Sequence, residues 1–152
     1  MAEITDHVRL RTMTSADLER VLAVEQACQL TPWSMANFRS CLSSGYRCKV
    51  ATHEGEITGF MVLSAVLDEA HLLNIAVAPA WQRRGIARWM LEQAIARAVD
   101  EDMSVMYLEV RAGNRGARKL YKQLGFEICG RRPGYYRAEE GHEDAVLMTL
   151  ML

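Results

Sequence analysis

The chain has 152 residues, 50% of them apolar, 24% charged and 7% aromatic, which excludes a disordered tail, a collagen-like rod and a minimal disulfide-stapled scaffold. A chain of this length buries roughly 68–70% of the surface its unfolded form exposes, so a single autonomous unit spanning 1–152 is expected. Eighteen basic against nineteen acidic residues give a net charge of −1, without the positive surplus that non-specific phosphate binding uses, so direct nucleic-acid binding is not expected.

From the N-terminus, Glu3 and Asp6 stand where a secretory signal would be basic and then apolar, so the expected location is cytoplasmic. His7 to Leu10 reads as a short strand. Thr14-Ser15-Ala16-Asp17 resembles a capping box opening a helix with Leu18, Val21, Leu22 and Glu25 at helical spacing, ending near Ala27. Thr31-Pro32-Trp33-Ser34 is a break, Ser34 caps a second short helix carrying Phe38, Cys41 and Leu42, and Gly45 stops it. Alternation from Tyr46 to His53 predicts a strand, Glu54-Gly55 a tight turn, and Ile57 to Leu67 the returning arm of a hairpin. That run is uncharged but too short for the ~20 residues of a membrane span. Asp68-Glu69 is read as a turn before a third strand, His71 to Val77, with Leu73, Ile75 and Val77 on one face.

Ala78-Pro79 interrupts the pattern. Gln82 to Ala87 then leads into a helix whose Ile86, Met90, Ala94 and Ala98 form one stripe, ending near Val99. Ser104 to Val110 is a strand that is apolar except for Glu109. Asn114 caps a further helix with Ala117, Leu120, Tyr121 and Leu124 inside, closed by Gly125. Phe126 to Arg131 and Ala145 to Leu150 complete the pattern as a final pair of strands. An antiparallel meander followed by a strand-helix-strand crossover predicts an α+β fold, a mixed, mostly antiparallel central sheet flanked by about four helices. The four cysteines form no C-x-x-C pair and read as reduced packing residues, and neither they nor the four scattered histidines suggest a metal site.

Two segments carry chemistry. Gln82-Arg83-Arg84-Gly85-Ile86-Ala87 places a glycine at a helix start, where unpaired N–H groups and the helix dipole favour a phosphate; an ordinary connection whose glycine relieves crowding is the alternative. It matches neither a Rossmann glycine pattern nor a Walker motif. In the second, Glu109 ends an apolar strand, where a carboxylate must be hydrogen-bonded, paired or functional; an ion pair with Arg111 or another arginine stays open. Tyr121, one helix later, reads by itself more readily as a core aromatic whose hydroxyl finds a partner.

Asn74-Ile75-Ala76-Val77 followed by Gln82 to Ala87, with Asn114, Ala117, Leu120-Tyr121 and Leu124-Gly125-Phe126, resembles the GCN5-related N-acetyltransferase (GNAT) superfamily over nearly the whole chain. Thr31 to Ser34, Asp68-Glu69-Ala70, Leu72 to Val77, Leu108 to Ala112, Tyr135-Tyr136 and Gly141 to Ala145 look like its ribosomal-protein-alanine (RimI-type) members. The resemblance implies transfer of acetyl from acetyl-CoA to an N-terminal alanine of a ribosomal protein, with Glu109 as general base and Tyr121 as general acid. It also implies cofactor contacts at Ile75, Val77, Gln82, Arg83, Arg84, Gly85, Ile86, Ala87 and Asn114, and an acceptor mouth including Trp33, Glu69, Tyr135 and Tyr136, with no metal. Asp68, Glu69, Glu143 and Asp144 are candidates to hold an arginine in the acceptor. A lysine or small-amine acetyltransferase, or a non-catalytic acetyl-CoA-binding module, are the alternative readings.

Overall fold

Capping chemistry sets the N-terminal third. In the computed structural model, which describes residues 4–138 and 141–152, Asp17 Oδ2 accepts from the Thr14 N–H at 2.8 Å. The 3₁₀ turn Ser15–Asp17 then runs into α1 (Leu18–Cys28), and Ser34 Oγ accepts from the Asn37 N–H at 3.2 Å to start α2 (Met35–Ser43). Glu3 lies outside the described residues.

The strands are β1 (Val8–Thr12), β2 (Arg47–His53), β3 (Glu56–Val66), β4 (Glu69–Val77), β5 (Val105–Arg111), β6 (Glu127–Arg137) and β7 (His142–Met151). They form one sheet in the order β1-β2-β3-β4-β5-β7-β6. All pairs are antiparallel except β4 and β5, which the crossover helix α3 (Ile86–Asp100) joins in parallel. Helix α4 (Arg115–Gln123) links β5 to β6. Leu18, Val21 and Val24 of α1 and Phe38 of α2 pack with Val50, Phe60, Val62 and Ala76 on one face of the sheet. Ile86, Met90 and Leu91 of α3 and Tyr121 of α4 pack with Met61, Leu72, Leu108 and Val110 on the other. Among the described residues no helix is long and apolar enough to cross a membrane.

The structure departs from the sequence reading at four points. The turn before β4 is Leu67-Asp68, with Leu67 at φ 55°, so Glu69 is already in the strand. The β3–β4 register shifts between Val62 and Leu63, so Leu73 is an extra residue on β4. This bulge turns Leu73 toward the α1–α2 layer while Ile75 and Val77 face the α3–α4 layer, so the three do not share a face. Strand β6 continues through Pro133-Gly134 to Arg137 because a register shift between Arg132 and Tyr136 absorbs the proline. Cys129 is exposed rather than packed, since β6 is the sheet's edge; Cys41 and Cys48 are buried.

The bulge also sets the central feature. Strands β4 and β5 pair only from Glu69–Val105 to Leu72–Leu108, and beyond Leu73 they diverge with no further pairing. A bulge bends its strand and increases local twist, which carries β4 away from its neighbour.

Candidate active site

The split opens into a cavity of about 470 Å³ lined from both strands, the α1–α2 connection and α4. Ala78 N–H donates to Thr58 O at 2.8 Å, so Val77, next in register, belongs to a non-hydrogen-bonded pair with Gly59. The same alternation applies to Ile75 opposite Met61, and the backbone groups of Ile75 and Val77 therefore point into the split rather than at β3. The Val77 carbonyl is capped by Gln82 Nε2 at 2.9 Å and the Cys28 thiol at 3.2 Å. The Gln82 amide is thus spent on holding the end of β4.

At the α3 end of the cavity, Gly85 precedes the helix at φ 83° and no side chain caps it. The first-turn N–H groups have no intrahelical acceptors, and Ala87 lines the cavity. Arg83 holds φ 64°, Arg84 lies 5.1 Å over the Trp81 ring, and neither makes an ion pair among the described residues. An uncapped helix start with two free cations beside an open strand edge fits a phosphate-bearing, amide-containing chain such as acetyl-CoA. Asn114 Oδ1 accepts from the Ala117 N–H at 3.2 Å, and Asn114 lines the cavity from the start of α4. Arg83, Arg84, Gly85 and Ile86 are not among the lining residues, and Ile86 is buried in the core.

The two candidates for acid–base chemistry lie on opposite faces of the split sheet. Tyr121, on the α3–α4 side, is nearly enclosed; burial, with Tyr136 adding to it, pushes its phenol up to about 12. Glu109 alternates with the core residues Leu108 and Val110, so its side chain projects to the α1–α2 side, where Oε1 lies 3.2 Å from Arg132 Nη2. The partner left open by the sequence is Arg132 of β6, not Arg111. Tyr136 lines the cavity, and burial, reinforced by Glu109, pushes it up to about 12; Tyr135 points away and is 52% exposed. Trp33 lines the cavity and packs 5.3 Å from Phe38, combining the mouth and core readings.

Arg111 fixes the mouth. Its guanidinium donates to Thr31 Oγ1 at 2.7 Å, to Glu143 Oε1 at 3.3 Å and to the Arg137 carbonyl, and lies 4.6 Å over the Tyr136 ring. Of the four acidic candidates, Asp68 accepts from the Ser104 hydroxyl and Glu69 pairs with Val105, both at the opposite end of the strands from the split. Glu143 is held by Arg111 and by the Gly113 N–H at 2.6 Å; Asp144 accepts from the Gly134 N–H at 3.0 Å and lies 3.7 Å from Arg131.

One lining residue carried a signal that the sequence reading did not use. Glu25 occupies the apolar stripe of α1 and is 1% exposed. Oε2 accepts from the Trp33 N–H at 2.9 Å and Oε1 from Asn74 Nδ2 at 3.1 Å. A carboxylate on a buried helical stripe was the available cue.

Residues 15–126 match the acetyltransferase (GNAT) family. The chain belongs to that family, and it is an N-acetyltransferase that uses acetyl-CoA. It is 37% identical over 141 residues to the ribosomal protein bS18-alanine N-acetyltransferase of Escherichia coli (strain K12), covering 93% of this chain and 95% of that one. Its namesake in Salmonella typhimurium (strain LT2) is 38% identical over 138 residues, 91% of this chain and 93% of that one. The crystal structure of the ribosomal-protein-S18-alanine N-acetyltransferase from Escherichia coli superposes with a TM-score of 0.90 at 36% identity, covering 95% and 93% of the two chains.

Proposed function

We propose that the protein acetylates the α-amine of an N-terminal alanine on a small-subunit ribosomal protein, the counterpart of bS18, in the cytoplasm. The reading is supported by relatives carrying that activity in their names and matching over nearly their full length. The observation that carries the chemistry is the placement of Glu109 and Tyr121 on opposite faces of one split, lining one cavity.

Acetyl-CoA supplies the acetyl group as an activated thioester. The open edge of β4 at Ile75 and Val77 and the side chain of Asn114 hold its amide-bearing arm. Gln82 to Ala87, through the α3 N-terminus and Arg83 and Arg84, meets its phosphates. An amine attacks only when neutral, so Glu109 takes a proton from the acceptor, directly or through a water. Val77 presents its N–H toward the split, where it meets negative charge developing on an acyl oxygen. Tyr121 donates a proton to the departing sulfur; its raised phenol keeps that proton across the physiological range. Trp33 and Tyr136 line the acceptor side.

An α-amine suits a site with one such base. At its usual pKa of ~7.7–8.0 about a tenth of the groups are neutral at pH 7, against well under a thousandth for lysine near ~10.4. The test compares kcat/KM for a peptide beginning Ala-Arg with an N-terminally blocked copy containing an internal lysine. Preference for the free terminus is expected. Equal use of the blocked peptide moves the protein to a lysine acetyltransferase, and binding of acetyl-CoA without turnover of either makes it a binding module.

A further inference from the structure

Two carboxylates line the cavity on its α1–α2 side, and their electrostatic situations differ. Glu109 already has a cation, Arg132. Glu25 has none. Its hydrogen-bond donors are the Trp33 N–H and the side chains of Asn74 and Gln29, all neutral, and no arginine, lysine or histidine among the described residues pairs with it. Burial of a carboxylate without a counter-charge is unfavourable, and desolvation raises its carboxyl above the ordinary range, opposed by the same donors.

Packing alone does not account for it. A helix stripe reading Leu18, Val21, Val24 and then a fourth aliphatic residue would bury as well without leaving a charge at the cavity wall. Three neutral donors leave the Glu25 carboxylate acceptor capacity for one more bond, and the wall it belongs to also holds Trp33 and Asn74. Asn74 and Glu109 stand on the two diverging strands, so Glu25 and Glu109 flank the mouth of the split from its two sides. An acceptor amine arrives mostly as a cation at neutral pH.

We infer that Glu25 is the anchor for the acceptor's α-ammonium, receiving it before Glu109 removes a proton. The inference rests on the α-amine reading of the function and names the residue that recognises the charge. Glu25 forms no covalent bond and is not needed as the final proton acceptor. Its neutral cage orients the carboxylate without neutralising it, and the incoming ammonium becomes its only cationic partner.

The experiment measures binding to the CoA-loaded protein, by calorimetry near pH 7, of two peptides that differ in one group. The first begins Ala-Arg, and in the second lactate replaces the alanine, putting a hydroxyl where the ammonium stands. Wild type is expected to prefer the ammonium peptide by about tenfold or more, the scale of a charge-assisted hydrogen bond. Glu25→Gln is expected to bind both peptides about equally, with the lactyl peptide held as well as by wild type. Retention of the preference by Glu25→Gln overturns the inference, and so does an equal loss of affinity for both peptides, which would mark Glu25 as a tether of the Trp33 loop alone. If Glu25→Gln does not fold, Glu25→Asp keeps the charge one methylene further back; a reduced preference supports the anchor and an unchanged one overturns it. Turnover of the Ala-Arg peptide by wild type reports separately on the α-amine reading, so the two failures are distinguishable.

Discussion

Arg111 and Thr31, 80 positions apart in the chain, are joined by a 2.7 Å hydrogen bond from the guanidinium to the hydroxyl. The bond ties the end of β5 to the α1–α2 connection on the far side of the cavity. Since Arg111 also holds Glu143 and lies over Tyr136, one side chain fixes three of the segments around the mouth. Arg111→Ala is expected to raise the acceptor KM by roughly tenfold or more, as loss of a charge-assisted hydrogen bond implies, while leaving the acetyl-CoA KM unchanged. Steady-state kinetics with each substrate varied in turn checks it.

Arg132, 53% exposed, is the only cation paired with Glu109 among the described residues. An ammonium approaching Glu109 must compete with it. Arg132→Gln is therefore expected to lower the acceptor KM several-fold at low ionic strength, an effect that added salt should diminish. A higher KM would instead mean that Arg132 orients the carboxylate.

Tyr121 carries a phenol pushed up to about 12, chiefly by burial. A phenol that stays protonated cannot generate an alkaline loss of activity below about pH 11, so kcat should show no tyrosine limb up to pH 10. Tyr121→Phe should reduce kcat by about 10²–10⁴-fold with little change in thermal stability, measured by initial rates and by calorimetric unfolding.

Asp17 makes a stability prediction whose sign follows from its titration. The Arg11 guanidinium, opposed by burial and aided by the Thr14 N–H, holds its carboxyl down to about 2. A depressed carboxyl stabilises the fold at pH values above its unfolded value of ~3.9, and that contribution is lost as the pH falls toward 2. With Arg11 nearly half exposed, solvent screening reduces the contribution to about 1–2 kcal/mol. Asp17→Asn should be less stable than wild type by that amount at pH 7 and nearly equal to it at pH 2, by urea unfolding at both.

Gly59 stands opposite Val77, and a Cβ there would lie 2.7 Å from the Ala76 carbonyl oxygen and 3.3 Å from the Met90 methyl. Gly59→Ala must therefore displace β4 backbone where it lines the cavity. A loss of about 1–3 kcal/mol in stability and a raised acetyl-CoA KM are expected, from chemical unfolding and kinetics.

Capping and alternation were legible because they are local. Ser34, Asn114 and the stripe from Ile86 to Ala98 stand where short-range spacing put them. The bulge at Leu73 was not, because both faces of β4 are covered by helices and an apolar run carries no mark where one residue is inserted. The family resemblance singled out Glu109 and Tyr121 as candidates where residue types alone left core and ion-pair readings open, while their partners came only with the fold. Arg132 reaches Glu109 from an edge strand whose expected end was Arg131, and the neutral groups around Glu25 include Trp33 and the distant Asn74.

Most sheets leave their unsatisfied backbone at the rim, where a strand from another molecule can add to it and begin aggregation. Here the backbone groups of Ile75 and the N–H of Val77, which turn into the split, lie in the middle of a seven-stranded sheet, with β1 to β3 on one side, β5 to β7 on the other and helices above and below. A gap closed above and below by helices admits a slender chain end-on, whereas an added strand needs an open rim to lie along. Burying the reactive edge thus protects the protein from its own copies, and it also sorts ligands by cross-section before any side chain is consulted.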